Sequence, residues 1–249
     1  MFRIIPRLDI KAPNLVKGVH FEGLRKLGNP SEFARDYYLQ KADEIIYQDI
    51  VASLYGRNSL HQLIFETTRK VFVPVTVGGG IRTKKDAIEI SKTGADKITL
   101  NTALFDNPHL ISEIASELGE QAVVVNIEVK KVSSNEWFCY TESGRENTNV
   151  LLKDWISAIN ELGVGEYLIS SIDNDGTEKG YDLDLLDFVR SATDKSILIH
   201  GGFSSPMDAH NAYLHGADGI VVSKALHYNK TTIHEIKEFL IQNGVEIRI

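Results

Sequence analysis

Apolar and polar positions follow two rhythms along the chain. Short runs rich in Val, Ile and Leu recur at about 3–9 (RIIPRLD), 44–49 (EIIYQD), 73–77 (VPVTV), 97–101 (KITLN), 121–128 (QAVVVNIE), 166–171 (EYLISS), 196–200 (SILIH) and 218–223 (DGIVVS). Longer stretches with apolar residues at helical spacing lie between them. Runs of this kind read as buried strands, and the stretches between as amphipathic helices. Strand and helix in alternation is the pattern of a parallel sheet, and eight such units predict a closed (β/α)8 TIM barrel. The helix starts set the direction of each unit. Asn29-Pro30 with Glu32, Thr83 with Asp86, Asn107-Pro108, and Ser205-Pro206 with Asp208 each pair a capping side chain with proline or an acid in the first turn, where unpaired N–H groups and the helix dipole favour them.

One segment occurs twice. Residues 73–105 (VPVTVGGGIRTKKDAIEISKTGADKITLNTALF) and 196–227 (SILIHGGFSSPMDAHNAYLHGADGIVVSKALH) share an apolar run ending in Gly-Gly, a capped helix pattern, Gly-Ala-Asp, and a second apolar run ending in small polar residues. The spacing from Gly80 to Gly94 equals that from Gly202 to Gly216, and the offset relating Gly80 to Gly202 also relates Glu44 to Glu166. Self-similarity on this scale decides an architecture. It predicts a two-fold half-barrel repeat, about 1–120 and 121–249, within a single barrel domain spanning 1–249. Two stretches break the rhythm: 10–28, which contains Lys17, and 129–149, which reads as a small hairpin. Long excursions after barrel strands lie on the C-terminal face, where such barrels keep their active sites, so both are candidate lids.

Composition narrows the function. The net charge of −7 argues against a general polyanion binder, although a local basic pocket is compatible with it. Cys139 is the single cysteine, so neither an intrachain disulfide nor a cysteine metal cluster can form, as expected of a reducing compartment. The eight histidines show no metal-ligand spacing. No apolar stretch reaches the roughly 18 residues of a membrane span. The chain therefore reads as soluble and cytoplasmic, with no metal or cofactor expected.

Several positions carry chemistry. Asp9 and Glu128 end strands one and five, across the barrel mouth from each other. Two carboxyls flanking one substrate can serve as general acid and base; the plain alternative is an ion pair with Lys17 or Lys130. Gly79-Gly80 with Asn101-Thr102, and Gly201-Gly202 with Ser223-Lys224, form two candidate phosphate nests, because glycine admits an anion to backbone N–H groups at a helix N-terminus. A tight strand-to-helix turn would need the same glycines. After strand six, Asp175-Gly176-Thr177 is either a binding element for a hydroxyl or phosphate or an Asp-Gly turn. At the opposite end, Arg3, Glu44, Lys97 and Glu166 begin strands one, two, four and six, so their charges can close a ring at the barrel bottom, which in such barrels usually serves stability.

RLDIK…LVKG, VGGGIR, GADKITLNTA, QAVVVNIEVKK, SIDNDGT and the second GG…GAD together resemble the cyclase subunit of imidazole glycerol phosphate synthase, over nearly the whole chain. The resemblance implies that ammonia from a separate glutaminase crosses the barrel and reacts with a bis-phosphorylated aminoimidazole-carboxamide ribonucleotide carrying a ribulosyl arm. The products would be imidazole glycerol phosphate and the aminoimidazole-carboxamide ribotide of histidine biosynthesis. It further implies that Asp9 is a catalytic acid/base, that Lys17 lies on a mobile loop over the substrate, and that Asn101, Thr102, Ser170 and Asp175 line the pocket. By the same resemblance Arg3, Glu44, Lys97 and Glu166 form an ammonia gate, Asp96 signals to the glutaminase, and the two subunits form a heterodimer at the barrel's N-terminal face. The chain departs from the family pattern at Glu128, where an aspartate is usual, at Arg7, where a small residue is usual, at Lys224, and at His200 and Phe203 beside the second glycine pair. These departures motivate two other readings: a paralogous barrel supplying ammonia for amidination of a surface sugar of the lipopolysaccharide type, and a non-catalytic subunit that activates a glutaminase. The related isomerase barrel shares the doubled phosphate pattern but needs no gate.

Overall fold

The computed structural model describes residues 1–52 and 60–249. Its strands, numbered in chain order, are β1 (Arg3–Lys11), β2 (Asn14–Val19), β3 (Glu22–Gly28), β4 (Ile45–Asp49), β5 (Val75–Gly78), β6 (Lys97–Leu100), β7 (Val123–Ser133), β8 (Glu136–Thr141), β9 (Glu146–Leu151), β10 (Glu166–Ser171), β11 (Ser196–His200) and β12 (Gly219–Val222). Eight of them, β1, β4, β5, β6, β7, β10, β11 and β12, pair in parallel around a closed circuit in which β12 returns to β1. This is the (β/α)8 barrel predicted from the pattern, and all eight strands fall on the expected runs.

The remaining four strands form two antiparallel hairpins in equivalent places. β2–β3 extends from the end of β1, and β8–β9 from the end of β7. The stretch 10–28 is therefore a hairpin like its counterpart in the second half, which strengthens the half-barrel repeat.

Side chains alternate between barrel interior and helix layer with the two-residue strand period. On β1, Ile4, Leu8 and Ile10 join the large apolar cluster between strands and helices. Ile5 points the other way and joins a six-residue inner layer with Ile46, Val124, Leu168, Leu198 and Val221. That layer separates the bottom of the barrel from its mouth.

The doubled segment places its helices as predicted. Capping boxes start Lys84–Lys92 and Pro206–Leu214: Thr83 and Asp86 exchange side-chain-to-backbone hydrogen bonds in the first, and Ser205 and Asp208 in the second. Asn29 accepts from the Ser31 N–H at 2.9 Å and opens Pro30–Leu39. Asn107-Pro108 departs from expectation. The helix there spans Leu110–Leu118, with His109 as its first flanking residue, because Asn107 still bonds back to Ala103 and 108–109 form a turn.

Candidate active site

Three layers stack along the barrel axis. At the N-terminal end of the strands, Arg3, Glu44, Lys97 and Glu166 come together as the sequence pattern predicted. Arg3 bridges Glu44 at 3.3 Å and also pairs with Glu166, while Lys97 bridges Glu44 at 2.7 Å and Glu166 at 3.0 Å. Thr76 donates to Glu44 at 2.5 Å, and Ser196 donates to Glu166 at 2.9 Å. Both carboxylates are buried while both cations keep partial contact with solvent. Burial disfavours the charged Glu166, yet Arg3 and Lys97 overcome it and hold its carboxyl below the usual range. The inner apolar layer lies above this ring.

The mouth forms the third layer and is dense with charge. The inward series on β1 is Arg3, Ile5, Arg7, Asp9, so Arg7 enters the barrel beside the catalytic candidate. Its Nε donates to Asp9 Oδ1 at 2.9 Å, and Lys17 Nζ donates to Asp9 Oδ2 at 3.1 Å and to Asp175 Oδ1 at 2.9 Å. Burial favours the neutral acid at Asp9, but Lys17 and Arg7 outweigh it and hold the carboxyl well below the ordinary range. Glu128 has a different environment. It receives the Gly144 N–H at 2.9 Å and the Asn126 amide at 3.3 Å, and burial pushes its pKa up to about 7 against the pull of Arg7. The two mouth carboxyls are thus separated in acidity, the property that lets one pair divide acid and base work.

The histidines extend the network from Arg7. Arg7 Nη1 lies 3.5 Å from His200 Nδ1, so Nδ1 accepts and Nε2 carries the proton; that proton points at Ser223 Oγ, 3.4 Å away, and Ser223 in turn donates to the Arg7 carbonyl at 3.0 Å. His227 Nε2 donates to the same carbonyl at 3.1 Å and leaves Nδ1 to accept from Tyr37 at 2.6 Å. Burial, followed by the repulsion of Arg7, lowers His200 to about 3, so the ring is neutral at pH 7.

The two glycine nests open on opposite sides of the mouth. Gly79, Gly80, Asn101 and Thr102 line a cavity of about 300 Å³ that also reaches Glu128. Gly201, Gly202, Ser223 and Lys224 line a second cleft with Lys17 and Asp175, only about 20 Å³ in volume. Its small size has a visible cause: Lys224 donates to the Gly176 carbonyl at 2.7 Å and pairs with Glu178 at 2.9 Å. Gly79 and Gly202 are held at φ of +102° and +107°, and an added Cβ would stand 2.2 Å from the Asp49 carbonyl oxygen or 2.0 Å from that of Gly180. Chain reversal over a close backbone therefore requires glycine at both positions.

Both hairpins close over the mouth. Asp175 accepts from the Phe21 N–H at 3.3 Å, and its carbonyl accepts from the His20 N–H at 2.9 Å, which ties the first hairpin down. Phe21 covers Arg7 and Lys17 at 5.6 and 5.7 Å and packs against Gly144 at the turn of the second hairpin.

Not every candidate reaches the clefts. Ser170 is buried, donating to Asn126 at 3.1 Å, and the Thr177 hydroxyl is used by its own turn, donating to the Asn174 carbonyl at 2.8 Å; neither lines the described cavities. For Thr177 the turn reading is the one the geometry matches. Asp96 is exposed at the barrel bottom and accepts from the Val75 N–H at 2.8 Å, the role that Asp218 plays toward Ile197 in the other half. Arg7, Asn126 and Gln48 were not among the candidate site residues. The two-residue period from Arg3 through Ile5 signals that Arg7 points inward.

The class these features define is the (β/α)8 barrel with two glycine-lined clefts at its mouth. Within that class, the histidine biosynthesis protein family matches residues 3–232, and the chain belongs to it. It is 50% identical to the imidazole glycerol phosphate synthase subunit HisF of Legionella pneumophila over 200 residues, 80% of this chain and 94% of that one. It is 40% identical to the subunit of the same name from Thermotoga sp. (strain RQ2) over 247 residues, 99% of this chain and 97% of the relative. The Lactococcus lactis subsp. cremoris (strain SK11) subunit is 42% identical over 249 residues, 99% and 96% of the two chains. Among the described residues, no helix is long and apolar enough to cross a membrane.

Proposed function

We propose that this chain is the cyclase subunit of an imidazole glycerol phosphate synthase, the function carried in the names of its full-length relatives. Ammonia from a partner glutaminase would convert the bis-phosphorylated ribulosyl aminoimidazole-carboxamide ribonucleotide into imidazole glycerol phosphate and the aminoimidazole-carboxamide ribotide. One observation supports it above the rest: two glycine-lined clefts flank a mouth whose carboxyls, Asp9 and Glu128, differ in acidity. The two phosphates would occupy the two clefts. Asp9 and Glu128 act on the reacting centre between them, and Lys17 and Asp175 close the first hairpin over it. The ring of Arg3, Glu44, Lys97 and Glu166 serves as the ammonia entry, and the glutaminase docks at that face, where Asp96 is exposed. The test supplies ammonium and the ribulosyl nucleotide to the purified chain. Release of the ribotide, abolished by Asp9→Asn, is expected; an inert chain at high concentration refutes the reading.

A second reading rests on a different observation. The Arg7 guanidinium stands in the mouth beside Asp9, and the second cleft is nearly closed. A barrel so filled suits passage of ammonia to another acceptor, as in the amidination of a surface sugar. The relatives' names do not point to it, and turnover in the ammonium assay removes it.

A further inference from the structure

We propose that Arg7 is a positioning residue that, with Lys17, clamps Asp9 as a fixed anion and so leaves proton transfer at the mouth to Glu128, the member of the pair that lines the open cavity. This rests on the cyclase reading and deepens it. Three geometric facts carry it. Each oxygen of Asp9 is held by a cation, Oδ1 by Arg7 at 2.9 Å and Oδ2 by Lys17 at 3.1 Å, so a proton arriving there would displace a charge-assisted bond. Asp9 lines neither cleft of the mouth, whereas Glu128 lines the larger one. Among the described residues, the hydrogen bonds to Glu128 come from neutral donors, the Asn126 amide and the Gly144 N–H, which restrain the carboxyl without fixing its charge.

Arg7 itself is built into the site. It is fully buried, its carbonyl is anchored by Ser223 and His227, and its Nη2 is buried with no hydrogen-bond partner among the described residues. An unpaired guanidinium nitrogen in a closed interior is costly, and the ion pair with Asp9 is what holds Arg7 there. The charged and titratable groups around Glu128 are Arg7 and Asp9 on β1, Tyr140 opposite it on β8, and Asp49, Arg82, Asp106 and Glu142 around the shared cavity.

The step assigned to Glu128 is the addition of ammonia to the ribulosyl ketone. The nitrogen lone pair forms the C–N bond while the C=O π pair moves to oxygen. The Glu128 carboxylate then takes a proton from the ammonium nitrogen of the adduct and gives it to the alkoxide. The product is a neutral carbinolamine, and Glu128 returns to its starting state with no net gain or loss of protons. Asp9, already paired twice, holds the field of Arg7 in place.

The experiment compares the wild type with Glu128→Gln, Arg7→Gln and Arg7→Lys, using the purified chain with ammonium and the ribulosyl nucleotide. Arg7→Gln keeps most of the volume and removes the charge; Arg7→Lys restores a charge. The expected wild-type profile of kcat against pH has one ionisation near neutrality. Glu128→Gln removes it together with at least a hundredfold of kcat. Arg7→Gln adds a second, lower ionisation from the released Asp9 and lowers kcat about tenfold with little change in KM, and Arg7→Lys restores the single limb. An unchanged profile in Arg7→Gln, or a neutral limb that survives Glu128→Gln, overturns the inference. If the wild type is inert, the cyclase reading has failed and the clamp is read directly by 13C-carboxyl NMR. Glu128 should titrate near neutrality, and Asp9 should titrate above pH 3 only in Arg7→Gln. The opposite assignment overturns the clamp whatever the activity.

Discussion

The buried position of Glu128 predicts a pH-dependent stability that does not depend on knowing the reaction. Its side chain is held near pKa 7 in the folded barrel by burial, against an ordinary value of 4.5. Between those values the folded state keeps a proton that the unfolded chain has released. Stability therefore falls as pH rises across this window. The full interval corresponds to about 3 kcal/mol at 1.36 kcal/mol per unit, of which about 2.5 kcal/mol falls between pH 5 and pH 8. Glu128→Gln keeps the shape and cannot ionise, so it should be close to wild type at pH 5 and more stable by about 2.5 kcal/mol at pH 8. For a chain of this size that is roughly 5–10 °C in Tm. Urea unfolding of both proteins at the two pH values measures it, and other titrating groups cancel in the comparison. A difference between the two proteins that stays constant from pH 5 to pH 8 would show that Glu128 is an ordinary ionised acid, and the division of labour at the mouth would lose its basis.

Two further perturbations test the scaffold. Lys97→Ala leaves the buried Glu44 and Glu166 sharing Arg3 alone; fully buried pairs lose about 3–5 kcal/mol on such truncation, and the partial exposure of both cations brings this to about 2 kcal/mol. The urea midpoint should fall accordingly at pH 7, and an unchanged midpoint refutes a coupled ring. Gly202→Ala drives a Cβ to 2.0 Å from the Gly180 carbonyl oxygen at φ +107°, whereas Gly244→Ala, at φ +78°, meets nothing within 4 Å. The first should cost more than about 2 kcal/mol and the second about 1 kcal/mol, and equal Tm losses would rule out close packing at the second nest.

Features written in local pattern were legible in the sequence, and those depending on three-dimensional register were not. The eight strands announce themselves because each is a short apolar run between capped helices. The ring is legible because its four members begin strands of one parallel barrel and so share a level. The first lid stands out in the sequence only as a break in the rhythm, because its hairpin, Asn14–Val19 with Glu22–Gly28, is mostly polar on its outer strand and shows no clean alternation. Asn107-Pro108 carries a start signal, but the preceding short helix Thr102–Asp106 uses Asn107 to finish its own turn, so the next helix begins later. Thr177 is chemically suited to bind an oxyanion and lies on the correct face. Its hydroxyl is consumed by Asn174, three residues back, which only the loop conformation reveals. Arg7 was visible as an unusual residue, but its effect on Asp9 emerges only when Lys17 arrives from the hairpin to take the other carboxylate oxygen.

The two halves share one plan yet hold their clefts differently, and the difference follows from Lys224. In the first half, Asn101 donates to the Tyr140 carbonyl at 3.3 Å, and Thr102 accepts from the Glu142 N–H at 3.2 Å, which leaves the cavity beside them open. In the second, Ser223 occupies the place of Asn101, and its hydroxyl is committed to the Arg7 carbonyl. Lys224, in the place of Thr102, swings onto the Gly176 carbonyl and Glu178 and fills the space. A phosphate dianion is a stronger partner for a lysine ammonium than a neutral carbonyl oxygen, and it would meet the N–H groups of Gly201 and Gly202 as well. The second cleft is therefore closed in part by a neutral contact, Lys224 to the Gly176 carbonyl, that an anion would outcompete, and in part by the Glu178 ion pair, whereas the first is lined by backbone contacts that leave it open. If the two phosphates of the proposed substrate enter these clefts, the first meets a formed cavity and the second must displace Lys224 from Gly176, next to Asp175, which Lys17 joins to Asp9.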